Sequence, residues 1–546
     1  MGLLPGPLPL LINLLRGGEN LEADKDKNRI LEVAMTLKGK IDEFKEKEKI
    51  AKFGGGVNQI EKQHKLGKLT ARERIDLLLD PETFLEVGMF VTHRCSDFGM
   101  DQRRIWGDGV VTGSGKVDGR TVHLYSQDFT VLGGSLGEYH AKKIGDIMDA
   151  AVERGTPIIS LGDSGGARIQ EGPPHAATLL YRNYLASGVV PQVAVVLGPC
   201  SGGAAISASM ADFVFVVEGI GHMFTSGPGV VKALTGEEVT NEELGGAKIH
   251  AEKSGVAHFI SASEEDCFKK VRTLLSFLPP NFQEDPPRVV PTDKPNREVA
   301  INSMIGDSNK PYDMKGIIRA VLDEGQFMEV QEFFAQNLIV GFGRLNGSTV
   351  GIVANQPLVL NGMVDMDAAD KSARFIRFCD AFNIPLVNFI DCPGYFGGKE
   401  QEHRGLIRHA AKMLYAYGEV TVPRIAIAVR NVYGAGISGM GMSKAFGTDL
   451  TIAFPFAEIA VMRPEAAANV IFKDEIAKSS DPKEMKAKKI QEYREKFANP
   501  YVAAERGWLD MIIDPKDTRQ VLVKALESLK NKVRAHPNKR HGTIPL

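Results

Sequence analysis

The chain has 546 residues, of which 43% are hydrophobic and 25% charged, and these ordinary fractions exclude a disordered or fibrous protein. The 66 Lys and Arg residues nearly balance the 68 Asp and Glu residues, so the net charge of −2 excludes a surface that coats nucleic acid. Glycine is frequent, with 57 residues, which favours loops whose main-chain N–H groups approach a ligand closely.

The cysteines and the chain start indicate the compartment. No Cys-x-x-Cys pair occurs among the five cysteines, which argues against a disulfide framework or a Cys-built metal site: Cys95, Cys200, Cys267, Cys379 and Cys392. No apolar run reaches the roughly 18 residues of a membrane span. Residues 1–15 are apolar but hold three prolines and no leading positive charge, which indicates a disordered extension or a misplaced start upstream of Met35 rather than a signal peptide. We predict a cytoplasmic protein, or a mitochondrial matrix protein in a eukaryote.

The chain divides into four segments. Apolar residues at helical spacing within the charged stretch 22–52 predict an amphipathic helical arm, so residues 1–50 are an extension and arm. Seven prolines between Pro279 and Pro311 predict a linker, which we place at residues 286–310. Residues 51–285 and 311–546 are the two predicted domains.

These two domains repeat each other. Gly119 corresponds to Gly347, and Asp163 to Asp391, in both cases 228 residues further on. After one short insertion, Gly202 corresponds to Gly434 at a separation of 232 residues. An ungapped register from residue 119 to residue 163 indicates an internal duplication.

Helix and strand patterns alternate within each half, which predicts an α/β fold. The first half has an apolar helical stripe over residues 144–152 and short apolar runs at 157–161 and 193–197. The second half repeats this pattern with a helix at 375–382 and strands at 386–390 and 425–429.

A glycine-rich turn follows the first of these strands. Gly-Asp-Ser-Gly-Gly at residues 162–166 resembles the nucleophile motif of trypsin-like proteases, but those are secreted, disulfide-bonded, all-β proteins. A better functional interpretation is a turn whose free N–H groups, at a helix N-terminus, hold phosphate or carbonyl oxygens. A purely structural strand-to-helix turn is the alternative.

Two further turns of small residues follow strands at equivalent places of the repeat, at 197–205 and 432–438. Two N–H groups that converge on one oxygen form an oxyanion hole. Either turn alone is more often structural, but the pair suggests a reaction with two carbonyl groups to polarise. No nucleophile–base pair accompanies them: Cys200 reads as a small buried residue, and His403 and His409 as positions on a helix face rather than a metal or acid–base cluster.

At these residues the chain resembles the carboxyltransferase (β) subunit of biotin-dependent acyl-CoA carboxylases. The resemblance is strongest to the propionyl-CoA carboxylase and methylmalonyl-CoA transcarboxylase and decarboxylase branch. It rests on the motifs at residues 126–130, 163–172, 198–203, 243–247, 377–385 and 458–462. It implies two tandem crotonase-like domains, built of ββα units and related by duplication.

The resemblance also implies a site. CO2 would pass between carboxybiotin and the α-carbon of an acyl-CoA through two enolates, without a side-chain base. The amides of Gly202 and Gly203 would hold the thioester oxygen, and those of Ala435 and Gly436 the ureido oxygen of biotin. The residues expected to contact the coenzyme A thioester or biotin are Ser164, Gly165, Gly166, Ala167, Arg168, Gly434 and Ile437.

Partners follow from the same resemblance. Acyl-CoA would lie on the first domain of one chain and biotin on the second domain of its neighbour, in a homo-oligomer that we expect to be a hexamer, a trimer of dimers. The sequence shows no Met-Lys-Met biotinylation site and no ATP-grasp region, so we expect separate biotin carrier and biotin carboxylase subunits. No metal, nucleic-acid or membrane site is expected.

Four residues depart from the pattern of this branch near the expected pocket: Ser438, His403, Arg404 and Arg463. They make the acyl group an open question between a propionyl-sized chain and one with a distal carboxylate. The same component could serve a decarboxylase or a transcarboxylase. An enoyl-CoA hydratase or isomerase on this fold would need pocket carboxylates, and a silent scaffold subunit would lack the glycine turns.

Overall fold

The computed structural model describes residues 21–306 and 310–545, so the apolar start of the chain lies outside the described residues. The predicted arm is helix α1, and two short helices connect it to the first sheet: α1 (Leu21–Lys52), α2 (Val57–Lys65) and α3 (Ala71–Leu78). Phe44, near the end of α1, packs edge-on against Phe90 with ring centroids 6.2 Å apart, so the arm is attached to the first domain.

The first half forms an eight-stranded sheet in the order β1-β2-β3-β4-β5-β6-β8, with β7 pairing with β5. The first three strands are antiparallel and the others parallel. The strands are β1 (Leu85–Val87), β2 (Val110–Val117), β3 (Arg120–Gln127), β4 (Ile158–Ser164), β5 (Gln192–Ser201), β6 (Phe213–Val217), β7 (His222–Phe224) and β8 (Phe259–Ser261). The helices are α4 (Glu138–Arg154), α5 (Ala176–Ala186), α6 (Gly203–Ser209), α7 (Pro228–Thr235), α8 (Asn241–Gly245), α9 (Ala247–Glu252) and α10 (Glu264–Phe277).

The second half repeats this sheet in the order β16-β14-β13-β12-β11-β10-β9, with β15 pairing with β13. Its strands are β9 (Phe327–Val330), β10 (Leu338–Leu345), β11 (Ser348–Asn355), β12 (Leu386–Cys392), β13 (Arg424–Tyr433), β14 (Leu450–Ala453), β15 (Glu458–Ala460) and β16 (Met511–Ile512). Its helices are α11 (Ile301–Ile305), α12 (Met314–Val321), α13 (Met366–Ala381), α14 (Lys399–His403), α15 (Leu406–Glu419), α16 (Gly436–Gly439), α17 (Pro464–Ile471), α18 (Lys473–Lys478), α19 (Pro482–Lys496), α20 (Pro500–Glu505) and α21 (Thr518–Ser528). The predicted α/β alternation in both halves is confirmed.

The antiparallel hairpin of each half turns on two residues with positive φ. Asp118 and Gly119 have φ of 49° and 79°, and Asn346 and Gly347 have φ of 51° and 80°. Asp-Gly and Asn-Gly are the sequences that such tight turns favour, because both positions must adopt left-handed backbone. The turns therefore fix the same strand register in both halves.

A buried lysine repeats at the same offset. The Lys143 ammonium donates to the carbonyls of Gly107 and Val110, and that of Lys371 to the equivalent carbonyl of Leu338 at 2.7 Å. Lys371 also donates to the carbonyls of Gln331 and Phe334. Each lysine therefore ties the helix before the site to the loop that enters the sheet.

The two halves share one apolar core. Phe213 of β6 lies edge-on to Phe378 of α13 and to Phe342 of β10, with ring centroids 4.6 and 5.8 Å apart. The C-terminal part of the predicted linker packs with the second half, because Val299, Ile301 and Ile305 belong to its core.

A buried ionic cluster anchors the end of β4. Asp163 accepts hydrogen bonds from Lys68 at 2.8 Å, Arg74 at 2.9 Å and Gln63 at 2.8 Å. Arg74 also donates from Nε to Glu264 of α10 at 2.8 Å. Since these side chains are all buried, the cluster joins the N-terminal helices, the sheet and α10 at one point.

We predict that Arg74→Met destabilises the protein by about 3–5 kcal/mol, because it leaves two buried carboxylates without their guanidinium partner. Urea unfolding followed by circular dichroism at a fixed protein concentration measures this change. The matched control is Lys142→Met, which breaks the exposed pair with Asp146 and should cost less than about 1 kcal/mol. Equal unfolding midpoints for the two variants would contradict the anchoring role.

Candidate active site

The turn after β4 has one amide without an internal acceptor. The Gly165 N–H donates to Gly133 O at 2.9 Å, and the Gly166 N–H to Ser164 Oγ at 3.2 Å. Ala167 lies beside Leu136 in an isolated parallel bridge whose hydrogen bonds use its two neighbours. Within the described chain, the N–H of Ala167 therefore has no acceptor and is available to a ligand.

The turn after β5 offers a second such amide. The Gly202 N–H donates to the Phe224 carbonyl at 3.0 Å, whereas the N–H of Gly203, the first residue of α6, meets no acceptor among the described residues. Ser164 is in register with Cys200, so the turns of Ala167 and Gly203 leave neighbouring parallel strands at the same sheet edge. The prediction that Gly202 supplies a free donor is therefore wrong, because β7 already uses that amide.

The second half builds the same pair of turns. The Val364 N–H donates to Gly394 O at 3.1 Å and the Phe396 N–H to Val364 O at 2.8 Å, which places Tyr395 where Ala167 stands in the first half. The Gly434 N–H donates to Ala460 O at 3.0 Å, as Gly202 does to Phe224. Within the described residues, the N–H groups of Tyr395, Ala435 and Gly436 have no acceptor. Sequence reasoning missed Tyr395, although it lies 228 residues after Ala167.

Two of the residues predicted to contact the coenzyme have internal roles. Ser164 is fully buried, and its hydroxyl accepts the Gly166 amide. Arg168 donates to Asp108 at 2.6 Å, to Glu171 at 2.8 Å and to the Ser135 carbonyl, and its side chain is 1% exposed. Burial raises the pKa of Asp108, although the Arg168 charge opposes that shift. The prediction that Arg168 presents its charge to a ligand is therefore wrong, because two carboxylates already neutralise it.

A cavity of about 400 Å³ adjoins the first turn on the side of the N-terminal helices. Its lining combines basic, aromatic and main-chain groups: Lys62, Met100, Arg103, Phe129, Gly133 and Arg168. The cavity has the size and chemistry to hold a phosphate-bearing ligand next to the Ala167 turn.

The residues expected to set selectivity separate in the structure. Arg463 lines a second cavity, of about 610 Å³, next to the Gly434 turn. Ser438 lies half-buried in α16, and Ile437 of the same helix packs against the core. His403 and Arg404 are exposed at the end of α14, where Arg404 faces Glu400 at 3.6 Å, and they line neither of the two cavities.

The side chains near the turns are poor nucleophiles and bases. Burial raises the pKa of the Cys200 thiol to about 12, so it stays protonated at neutral pH. His409 pairs with Asp370 at 2.8 Å, while His403 is exposed. Across residues 21–306 and 310–545, no group of three or more His, Cys, Asp or Glu side chains could hold a metal ion. The chemistry of the site is therefore main-chain chemistry.

Comparisons with known proteins agree with this geometry. Residues 62–544 match the carboxyl transferase domain family. The chain belongs to this carboxyl transferase family. It is 52% identical to the carboxyltransferase subunit of propionyl-CoA carboxylase from Haloferax mediterranei, over 94% of this chain and 100% of the relative. It is 50% identical to the methylmalonyl-CoA decarboxylase subunit alpha of Veillonella parvula, over the same shares of the two chains.

A solved structure shows the fold. The transcarboxylase 12S hexamer with hydrolysed methylmalonyl-coenzyme A is 46% identical, with a TM-score of 0.91 over 93% of this chain and 99% of that one. The predicted pair of tandem crotonase-like domains is thereby confirmed for this carboxyltransferase. None of its described helices combines the length and the apolar character that crossing a bilayer requires.

We predict that iodoacetamide labels Cys95 of the native carboxyltransferase at neutral pH and leaves Cys200 unmodified. Cys95 is partly exposed, whereas Cys200 is buried and holds its proton. Peptide mass spectrometry before and after denaturation in urea measures both sites. Labelling of Cys200 in the folded protein would show that the turn after β5 opens to solvent.

Proposed function

We propose that this carboxyltransferase moves CO2 between carboxybiotin on a separate carrier protein and the α-carbon of an acyl-CoA of propionyl size. The observation that carries the proposal is the repeated pair of turns, each with amides that meet no internal acceptor. The relatives support the substrate class, since they are named for propionyl-CoA carboxylase and methylmalonyl-CoA decarboxylase. The direction of transfer remains open among carboxylase, decarboxylase and transcarboxylase assemblies.

In the first half, the amides of Gly203 and Ala167 hold the thioester oxygen. They lie at the ends of adjacent parallel strands, and a glycine at 203 leaves room because a Cβ there would lie 2.4 Å from the Cβ of Ala176. Two N–H groups aimed at one oxygen stabilise the negative charge that develops when the α-proton leaves. Gly202 shapes this turn through its positive φ of 58° rather than donating to the substrate.

In the second half, the amides of Tyr395, Ala435 and Gly436 hold the ureido oxygen of biotin. The fit rests on a cradle that side chains would fill, since a Cβ on Gly436 would lie 2.8 Å from Cys392 Sγ and one on Gly434 would lie 2.9 Å from Val461 O. Carboxybiotin supplies the transferable CO2 when bound. The chain itself orients that group and stabilises charge on its oxygen.

The alternative of an enoyl-CoA hydratase or isomerase needs carboxylates that are free to move protons. The carboxylates that follow β4 are not free: Asp163 binds Lys68 and Arg74, and Glu171 binds Arg168 and the Glu138 amide. The geometry therefore favours carboxyl transfer. The cavity lined by Lys62 and Arg103 is our choice for the coenzyme A moiety, because its basic groups suit the phosphates.

We infer that the working form is a homo-oligomer, a hexamer like the transcarboxylase 12S core. Large apolar side chains close to both turns support a covering partner, since Tyr181 and Tyr184 of α5 are 61% and 64% exposed and Val461 and Val470 are each 70% exposed. Separate biotin carrier and biotin carboxylase subunits complete the assembly. A cytoplasmic or matrix location stays a prediction.

We predict that Gly203→Ala lowers the turnover of carboxyl transfer by about 10²–10³-fold, the usual cost of losing one oxyanion donor. The new Cβ would lie 2.4 Å from the Cβ of Ala176, so the turn must shift and carry its N–H away from the substrate oxygen. Transfer from carboxylated carrier protein to propionyl-CoA is the measurement.

The control for this substitution is the double variant Gly203→Ala with Ala176→Gly, which removes the colliding methyl group. It should recover at least part of the lost turnover, while Ala176→Gly alone should stay close to the wild type. Near-normal turnover for Gly203→Ala, with its fold intact by circular dichroism, would argue against the Gly203 amide as a donor.

We predict that Tyr184→Asp shifts the assembly from six chains toward smaller species, because it places a charge in an apolar contact surface. Light scattering coupled to gel filtration measures the mass. Lys142→Glu on α4, whose side chain is exposed in a pair with Asp146, is the matched surface control. A fully active single-chain form of the wild type would refute the shared site.

A further inference from the structure

The cavity of about 610 Å³ in the second half is built on the same strands as the biotin-side turn. It is lined by Asn431 and Tyr433 of β13 and by Glu458 of β15. Tyr433 is in register with Ala460, and a Cβ on Gly434 would lie 2.9 Å from Val461 O. The chain reaches Arg463 two residues later, so this arginine is held close to the turn by strand pairing.

The charges of the cavity are balanced except at Arg463. Glu458 accepts a hydrogen bond from the Tyr433 hydroxyl and another from Arg494 Nε at 2.7 Å. Arg430 pairs with Asp391 at 3.0 Å. The Arg463 side chain is exposed and makes no ion pair or hydrogen bond with the described part of the chain. Its charge therefore faces the cavity without a protein counter-ion.

A positive, unpaired guanidinium in a cavity is suited to a carboxylate. Its planar fork can donate two parallel hydrogen bonds to the two oxygens of that group, which an ammonium cannot do. Coenzyme A phosphates have a separate basic cavity in the first half, lined by Lys62 and Arg103. A carboxylate close to the reacting atoms is then the anion that remains for this cavity.

We propose that Arg463 binds a carboxylate of the substrates and thereby positions them at the biotin-side turn. This inference rests on the proposed function and adds the residue that reads the substrate charge. The carboxylate has two possible sources with the same chemistry. One is the carboxyl group in transit, which every substrate shares, and the other is a distal carboxylate on the acyl chain.

Two thioesters distinguish these sources. Wild type, Arg463→Gln and Arg463→Lys are assayed in the complete complex with carboxylated carrier protein, against propionyl-CoA and against glutaryl-CoA. Loss of the forked, charge-assisted pair should lower kcat/KM by about 10–100-fold for Arg463→Gln. Arg463→Lys should fall between, because it keeps the charge and loses the fork. Arg319→Gln, an exposed arginine on α12 outside this cavity, is the matched control and should stay unchanged.

Each outcome decides the inference. An equal loss with both thioesters supports binding of the carboxyl group in transit, and a loss confined to glutaryl-CoA supports the distal carboxylate. Unchanged kcat/KM values with both thioesters overturn the role of Arg463 while the proposed function stands. A fall in the oligomer mass for Arg463→Gln, seen by light scattering, overturns it in favour of a subunit contact. A wild type that carboxylates neither thioester overturns the proposed function and this inference together.

Discussion

The site depends on how the protein neutralises one buried carboxylate at the end of the central strand of each half. In the first half, Asp163 is bound by Lys68 and Arg74 from the N-terminal helices. Gly198 makes room for this, since a Cβ there would lie 2.0 Å from Asp163 Oδ1. In the second half, Arg430 stands at the position of Gly198 and itself neutralises Asp391. Desolvating such charges is expensive, so a charge retained in both halves points to a positioning role.

That constraint explains why the two reaction turns can share a backbone and differ in side chains. The bridge of Leu136 with Ala167 recurs as the bridge of Val364 with Tyr395, and the same amide-to-carbonyl bonds flank both. A main-chain N–H survives most substitutions, whereas a side-chain acid or base does not. Chemistry that relies on amide donors can therefore diverge in sequence around a constant geometry.

Sequence reasoning recovered what local patterns determine. Asp-Gly and Asn-Gly fix the hairpins, and the constant offset between the halves locates the equivalent strands. It failed where a partner lies far along the chain. Nothing near Gly202 shows that its amide is used by Phe224, and nothing near Arg168 shows that Asp108 neutralises it. Tyr395 and the lysine pair could have been found by extending the offset, because they obey it.

The shared core sets what the variable residues can do. Since Phe213, Phe342 and Phe378 join the halves into one packed unit, the two turns of one chain keep a fixed relation to each other. Specificity must then come from side chains attached to the frame, as Arg463 is attached through the pairing of β15 with β13. His403 and Arg404 have no such attachment and sit exposed on a short helix. Of the residues that depart from the branch, Arg463 is thus the one whose charge the fold holds beside the reacting groups.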